Sequence, residues 1–141
     1  MNHMAKYTEL NNILTTNNTY KLEKLLMLEL KNFNIDFDKS IFYMQNLFLE
    51  NKNPKLFVFN SEKVIVLSIE GEKEHIIGVK FCNKEKILNF WYGKKCSNSQ
   101  YQITFRIDEA EYTITPSIDT NLYHVNNYSE IAKDIIDYFI N

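Results

Sequence analysis

Arginine is almost absent from this chain of 141 residues: Arg106 stands alone against fifteen lysines, and the formal net charge is only −2. Nucleic-acid binding draws most of its affinity from neutralised phosphates and favours arginine for bidentate contacts. With neither in supply, direct nucleic-acid binding is not expected. Cysteine is scarce too. Cys82 and Cys96 do not form a CxxC, and no second Cys/His pair sits at zinc spacing. Two reduced thiols, one of them buried, are expected, with no metal and no cofactor. No run approaches the ~20 apolar residues that cross a bilayer, and residues 1–12 hold no apolar signal core. A cytoplasmic location without a membrane partner is expected. Glycine (three) and proline (two) are rare. There is no Gly-rich phosphate loop, no HExxH, no GxSxG and no carboxylate pair in a telling context. The three histidines, His3, His75 and His124, are scattered and read as surface or half-buried side chains. No catalytic residue is expected, and the chain does not read as an enzyme.

What is present is core material. Apolar residues make up 45% of the chain, including ten Phe, nine Tyr and one Trp. A disordered chain would be poor in these. The length suits a single domain over 1–141 that buries roughly 70% of its unfolded surface.

The periodicity divides the chain into three parts. Residues 4–14 read as a short helix, and the polar run 15–19 interrupts it. Residues 20–33 read as a helix, with Leu22, Leu25, Leu26, Leu30 and Phe33 at helical spacing. Asp36 and Asp38 are cap candidates for a third helix, roughly 39–51, with Ile41, Met44, Leu47 and Phe48 on one face. From Lys55 the period changes. Segments 56–59, 63–70, 75–81, 86–92, 101–108 and 111–115 are short, β-branched and aromatic, at the spacing of an antiparallel meander. Residues 118–125 are a candidate edge strand. Ser129 is then the expected cap of a final helix through Ile140, with Ile131, Ile135, Ile136 and Phe139 on one stripe. The expected class is α+β: N-terminal helices, a central antiparallel sheet of five or six strands over about 55–115, and a C-terminal helix packed on that sheet.

Alternation locates the wet and dry faces. In 101–108, Ile103, Phe105 and Ile107 face one way, while Gln102, Thr104, Arg106 and Asp108 face the other. A tight return would set Asp108 opposite Glu111, Arg106 opposite Thr113 and Thr104 opposite Thr115, giving this hairpin one polar face. Segments 56–59, 64–67 and 88–92 are instead apolar on both faces and need cover on both sides. Helices, sheet curling or a second copy could supply it, so a homodimer is a candidate.

Two acidic hairpin tips stand out, Glu70-Gly71-Glu72-Lys73-Glu74 and Asp108-Glu109-Ala110-Glu111. Successive turns of a strict meander alternate between sheet ends, so the two are not expected to form one patch. The candidate partner-binding residues are Asp108, Glu109, Glu111, Arg106, Gln102 and Thr104, with Glu72 and Glu74 at the other tip. Phe90-Trp91-Tyr92 beside Lys94 and Lys95 interleaves aromatic and basic residues, as single-stranded nucleic-acid platforms do. Core aromatics followed by a solvated lysine turn account for the same pattern.

In size, mildly acidic composition and element order, the whole chain resembles the immunity proteins of bacterial contact-dependent growth-inhibition systems. No short signature defines that group, so no residue carries over by motif. The resemblance implies a protein that binds and neutralises the toxin domain of a delivered effector, often a nuclease, by covering its active site or holding an exosite. A secretion-effector chaperone or other small interaction module is the alternative, and a small enzyme a more distant one.

Overall fold

The computed structural model describes residues 6–141. His3 and the first residues of the expected helix 4–14 lie outside them. Helix α1 spans Tyr7–Thr15 and buries Leu10 and Leu14. The polar run ends it as expected: the Thr16 hydroxyl turns back to donate to the Asn12 carbonyl at 2.9 Å. Helix α2 spans Lys21–Leu30 and buries Leu26, Met27 and Leu30.

No helix covers 39–51. Asp36 accepts from the Asp38 N–H at 3.1 Å and caps only a single 3-10 turn, Phe37–Lys39. Ile41–Gln45 is then a strand, β1, and Asn46, at φ 69°, ends it. Phe42 faces Tyr7 of α1, with ring centroids 5.7 Å apart, and Tyr43 faces the opposite side of the sheet. A short run that is apolar at every position satisfies both periods, and burial on both faces selects the strand.

Strands β2 (Lys55–Phe59), β3 (Lys63–Glu70) and β4 (Ile76–Asn83) complete an antiparallel four-stranded sheet in the order β1-β2-β3-β4. A 3-10 turn at Lys84–Lys86 carries the chain out of it, with the Lys84 N–H held by the Glu62 carbonyl at 2.9 Å. Strands β5 (Leu88–Lys94), β6 (Tyr101–Ile107) and β7 (Ala110–Ile114) form a second, three-stranded antiparallel sheet. The α+β class and the antiparallel pairing hold, but the expected single sheet of five or six strands is two sheets of four and three.

The split answers the need for cover. On one face of the larger sheet, α1 lies against β1 and α2 against β2 and β3. On the other face, Phe57 meets Phe105 and Tyr112 of the second sheet at 6.1 and 5.8 Å, and Phe59 meets Phe105 at 6.0 Å. Strands β2 and β3 are therefore apolar on both faces because one face packs on helices and the other on the second sheet and the last helix. These side chains belong to one continuous hydrophobic cluster. Aromatic pairs at such distances add about 0.5–1.5 kcal/mol each beyond the area they bury.

Residues 118–125 are not a strand. Pro116 opens a short helix, α3 (Pro116–Asp119), where its missing N–H is harmless. Helix α4 runs Val125–Ile140, starting four residues before the expected cap Ser129. Inside the helix, the Ser129 hydroxyl donates to Gln100 Oε1 at 2.5 Å instead. The isoleucine stripe is as read: Ile131, Ile135 and Ile136 are buried, joined by Tyr128. Among the described residues no helix is long and apolar enough to cross a membrane.

Candidate protein-binding face

The outer face of the three-stranded sheet gathers most of the residues singled out above. Residues paired across an antiparallel ladder share a face. Arg106 pairs with Glu111, Thr104 with Thr113 and Ile107 with Ala110. This register is two residues away from the expected one, because the turn contains only Asp108 and Glu109. Asp108 takes φ 55° at the first turn position, a geometry that matches the twist of the flanking strands. A two-residue shift leaves every side chain on its original face, so the wet side survives. Ile103, Phe105 and Ile107 are fully buried, whereas Gln102 is exposed and Thr104 and Arg106 are half-buried.

Strand β5 adds what the sequence reading missed. A bulge at Asn89 (φ 54°) interrupts its pairing, so that Leu88 lies opposite Arg106 and Trp91 opposite Thr104. Both therefore stand on the outer face, each 53% exposed. Phe90, on the other side of the bulge, points inward and stacks on Phe139 at 4.5 Å. β5 was expected to be covered on both faces, and its outer face is not. Gly93 explains part of the arrangement: a Cβ there would collide with the Trp91 ring, so the indole lies across the glycine. The bulge at Asn89 has no sequence signature, so nothing in the sequence marks Trp91 and Leu88 as facing outward.

The face has unequal ends. At one end are the exposed Asp108, Glu109 and Glu111. The Arg106 guanidinium reaches this end, donating from Nη2 to the Glu109 carbonyl at 3.3 Å, while its Nε has no acceptor among the described residues. At the other end, Lys94 and Lys95 border an open groove of about 270 Å³ that Trp91, Gln102, Thr115 and Ser117 also line.

Glu72 and Glu74 are not part of this surface. They are exposed in the turn between β3 and β4. Asp108 lies near the far end of β4, close enough to raise the Cys82 thiol after burial has done so. The two acidic tips thus sit apart. Neither cysteine is fully buried, in contrast to the expected buried thiol: Cys82 is half-buried and Cys96 exposed, both free.

The histidines are dispersed. His75 is exposed just before β4. His124 stacks on Phe48 at 3.8 Å, and burial lowers its pKa below the usual histidine value. Among the described residues no group of three His, Cys, Asp or Glu side chains could hold a metal ion. Comparison with known protein families, with curated proteins and with solved structures finds no match for this chain.

Proposed function

We propose that this chain is a non-enzymatic protein-binding module that docks its partner on the outer face of β5–β7, and that it serves as an immunity protein, neutralising a toxin domain in the cytoplasm. One observation carries the docking surface: the only tryptophan and the only arginine of the chain, Trp91 and Arg106, stand on the same face of adjacent strands, with Leu88 beside them. Tryptophan and arginine dominate interface hot spots, because each offers a large contact area together with directed hydrogen bonding. Trp91 is half exposed in the free chain, which favours a surface completed by a partner. The unequal ends would orient that partner, with its basic groups over Asp108, Glu109 and Glu111 and its acidic groups over Lys94 and Lys95. The assignment of that partner as a toxin domain rests on the whole-chain resemblance to immunity proteins.

Titration of the chain against the toxin domain encoded beside it, with a protection assay in cells, tests the reading. Trp91→Ala and Arg106→Ala should each lose binding and protection while remaining folded, and reversal of Glu72 and Glu74 should lose neither. A wild-type chain that neither binds nor protects ends the immunity reading.

A further inference from the structure

Among the described residues strand β4 is one of the two edge strands of the larger sheet, and of the usual safeguards of an edge it carries only a lysine, Lys80. It pairs with β3 over eight consecutive residues, Lys63↔Asn83 to Glu70↔Ile76, without a bulge. It contains no proline. Ile77, Val79 and Phe81 share the face on which the helices lie, but α2 covers β2 and β3, and it is Phe33, three residues past the end of α2, that meets Phe81 at 5.0 Å. Phe81 is half exposed in consequence. A long, bulge-free, partly apolar edge is a template for another strand.

We infer that a second copy of this chain pairs with β4 antiparallel about a two-fold axis at Val79, joining two four-stranded sheets into one of eight strands. Such an axis preserves faces, so only registers that pair residues of like parity are allowed. Centring on Val79 sets Phe81 of each copy against Ile77 of the other and Val79 against Val79, which makes one unbroken apolar stripe. On the opposite face it sets Gly78 against Lys80. Gly78 is the position that the Glu70 carboxylate occupies from β3: a Cβ there would collide with Glu70 Oε2, which also accepts from the Ser68 hydroxyl at 3.2 Å. Each Lys80 therefore meets the Glu70 carboxylate of the other copy, twice by symmetry. The neighbouring registers lack this match. Centring on Lys80 places lysine against lysine, and centring on Gly78 places Phe81 against His75. Lysine in mid-strand ordinarily guards an edge against pairing; here the carboxylate over Gly78 turns it into a partner.

The charge pairing yields a decisive test by sedimentation equilibrium of the full chain at micromolar concentration. Wild type is expected at twice its 16.8 kDa protomer mass. Glu70→Lys alone faces Lys80 with lysine, and Lys80→Glu alone faces Glu70 with glutamate, so each should sediment as a monomer. An equimolar mixture of the two restores both opposite-charge pairs and should recover the dimer. As a second measurement, Val79→Cys in a Cys82→Ser, Cys96→Ser background should cross-link to a covalent dimer under mild oxidation, because only this register sets residue 79 against itself. A monomeric wild type, single variants that still dimerise, a mixture that stays monomeric, or a dimer that Val79→Cys does not cross-link would each overturn the inference. A toxin strand in place of the second copy would appear as a monomeric wild type whose toxin complex is lost with Lys80→Glu. None of these outcomes bears on the outer face of β5–β7, which Trp91→Ala tests separately.

Discussion

The Tyr43 hydroxyl donates to a carboxylate oxygen of Asp119 at 2.6 Å, joining β1 to α3 across 76 positions of sequence. The same carboxylate accepts from the Thr115 N–H at 2.7 Å and from Gln45 Nε2 at 3.0 Å, and the Asp119 carbonyl accepts from the Asn46 N–H at 2.8 Å. Tyr128 of α4 packs against Tyr43 at 5.1 Å and donates to the Met44 carbonyl at 2.6 Å. One buried carboxylate thus ties β1 to the end of β7, and an adjacent tyrosine ties it to α4. A buried carboxylate is tolerated only when donors surround it, and this one has three.

Asp119→Ala should destabilise the fold by about 3 kcal/mol or more, since three donors lose their acceptor and the Tyr43 hydroxyl is fully buried. Burial raises the Asp119 carboxyl above its ordinary 3.8, and the hydrogen bonds from Tyr43, Thr115 and Gln45 only partly offset this. The folded chain therefore holds that proton more tightly than the unfolded chain. Its contribution to stability is fully present below 3.8 and is lost as pH rises through the folded value. Urea unfolding at a series of acidic pH values should show this decline in wild type and its absence in Asp119→Asn.

His124 titrates with the opposite sign. Burial against Phe48 lowers its pKa below 6.5, so the folded chain binds this proton less readily than the unfolded chain. The resulting stability is present above 6.5 and is lost as pH falls through the folded value. His124→Phe keeps a ring on Phe48 and removes the proton. Its thermal midpoint should fall less than that of wild type between pH 7 and pH 5, and an equal fall would refute the assignment.

Trp91 is the only tryptophan, so intrinsic fluorescence reads the outer face directly. Its emission should be that of a half-exposed indole, open to acrylamide, and partner binding should shift it to the blue and protect it. Trp91→Ala should change stability by no more than about 1 kcal/mol, because the ring is only half buried, yet weaken binding by about 2–4 kcal/mol as a hot spot. Gly93→Val should displace the indole from its seat and alter the emission of the free chain.

Charge reversal at Asp108 and Glu111 together should weaken partner binding and slow association while leaving the chain folded, since both side chains are exposed. An exposed pair is worth about 0–1 kcal/mol, and a pair desolvated by the partner about 2–5 kcal/mol. Titration calorimetry separates the two. Reversal at Glu72 and Glu74, on the other sheet, is the control, and a loss confined to that control would move the site to the β3–β4 turn.

Part of the candidate site was legible because one strand carries it. Gln102, Thr104 and Arg106 alternate with Ile103, Phe105 and Ile107, and a period of two reports which side is wet without any knowledge of the partner strand. An error of two residues in the hairpin register changed nothing on that face. Trp91 and Leu88 were not legible. Leu88, Phe90, Trp91 and Tyr92 offer apolar side chains to both faces, and the bulge at Asn89 decides which of them face outward.

Sequence alone determined the two helices that flank the polar run, the run of strands from Lys55 to Ile114, the dry side of β6 and the isoleucine stripe of the last helix. Each is a local period that records how one segment divides itself between water and core. Tertiary structure decided the rest. Ile41–Gln45 is a strand because β2 offers it a pairing edge and both of its faces find cover. The strands divide into two sheets because Phe57 and Phe59 need a second apolar layer, which Phe105, Tyr112 and Phe139 provide from far along the chain. A segment's pattern states that a face must leave water, but which surface receives it depends on contacts between distant residues, and those exist only once the chain has folded.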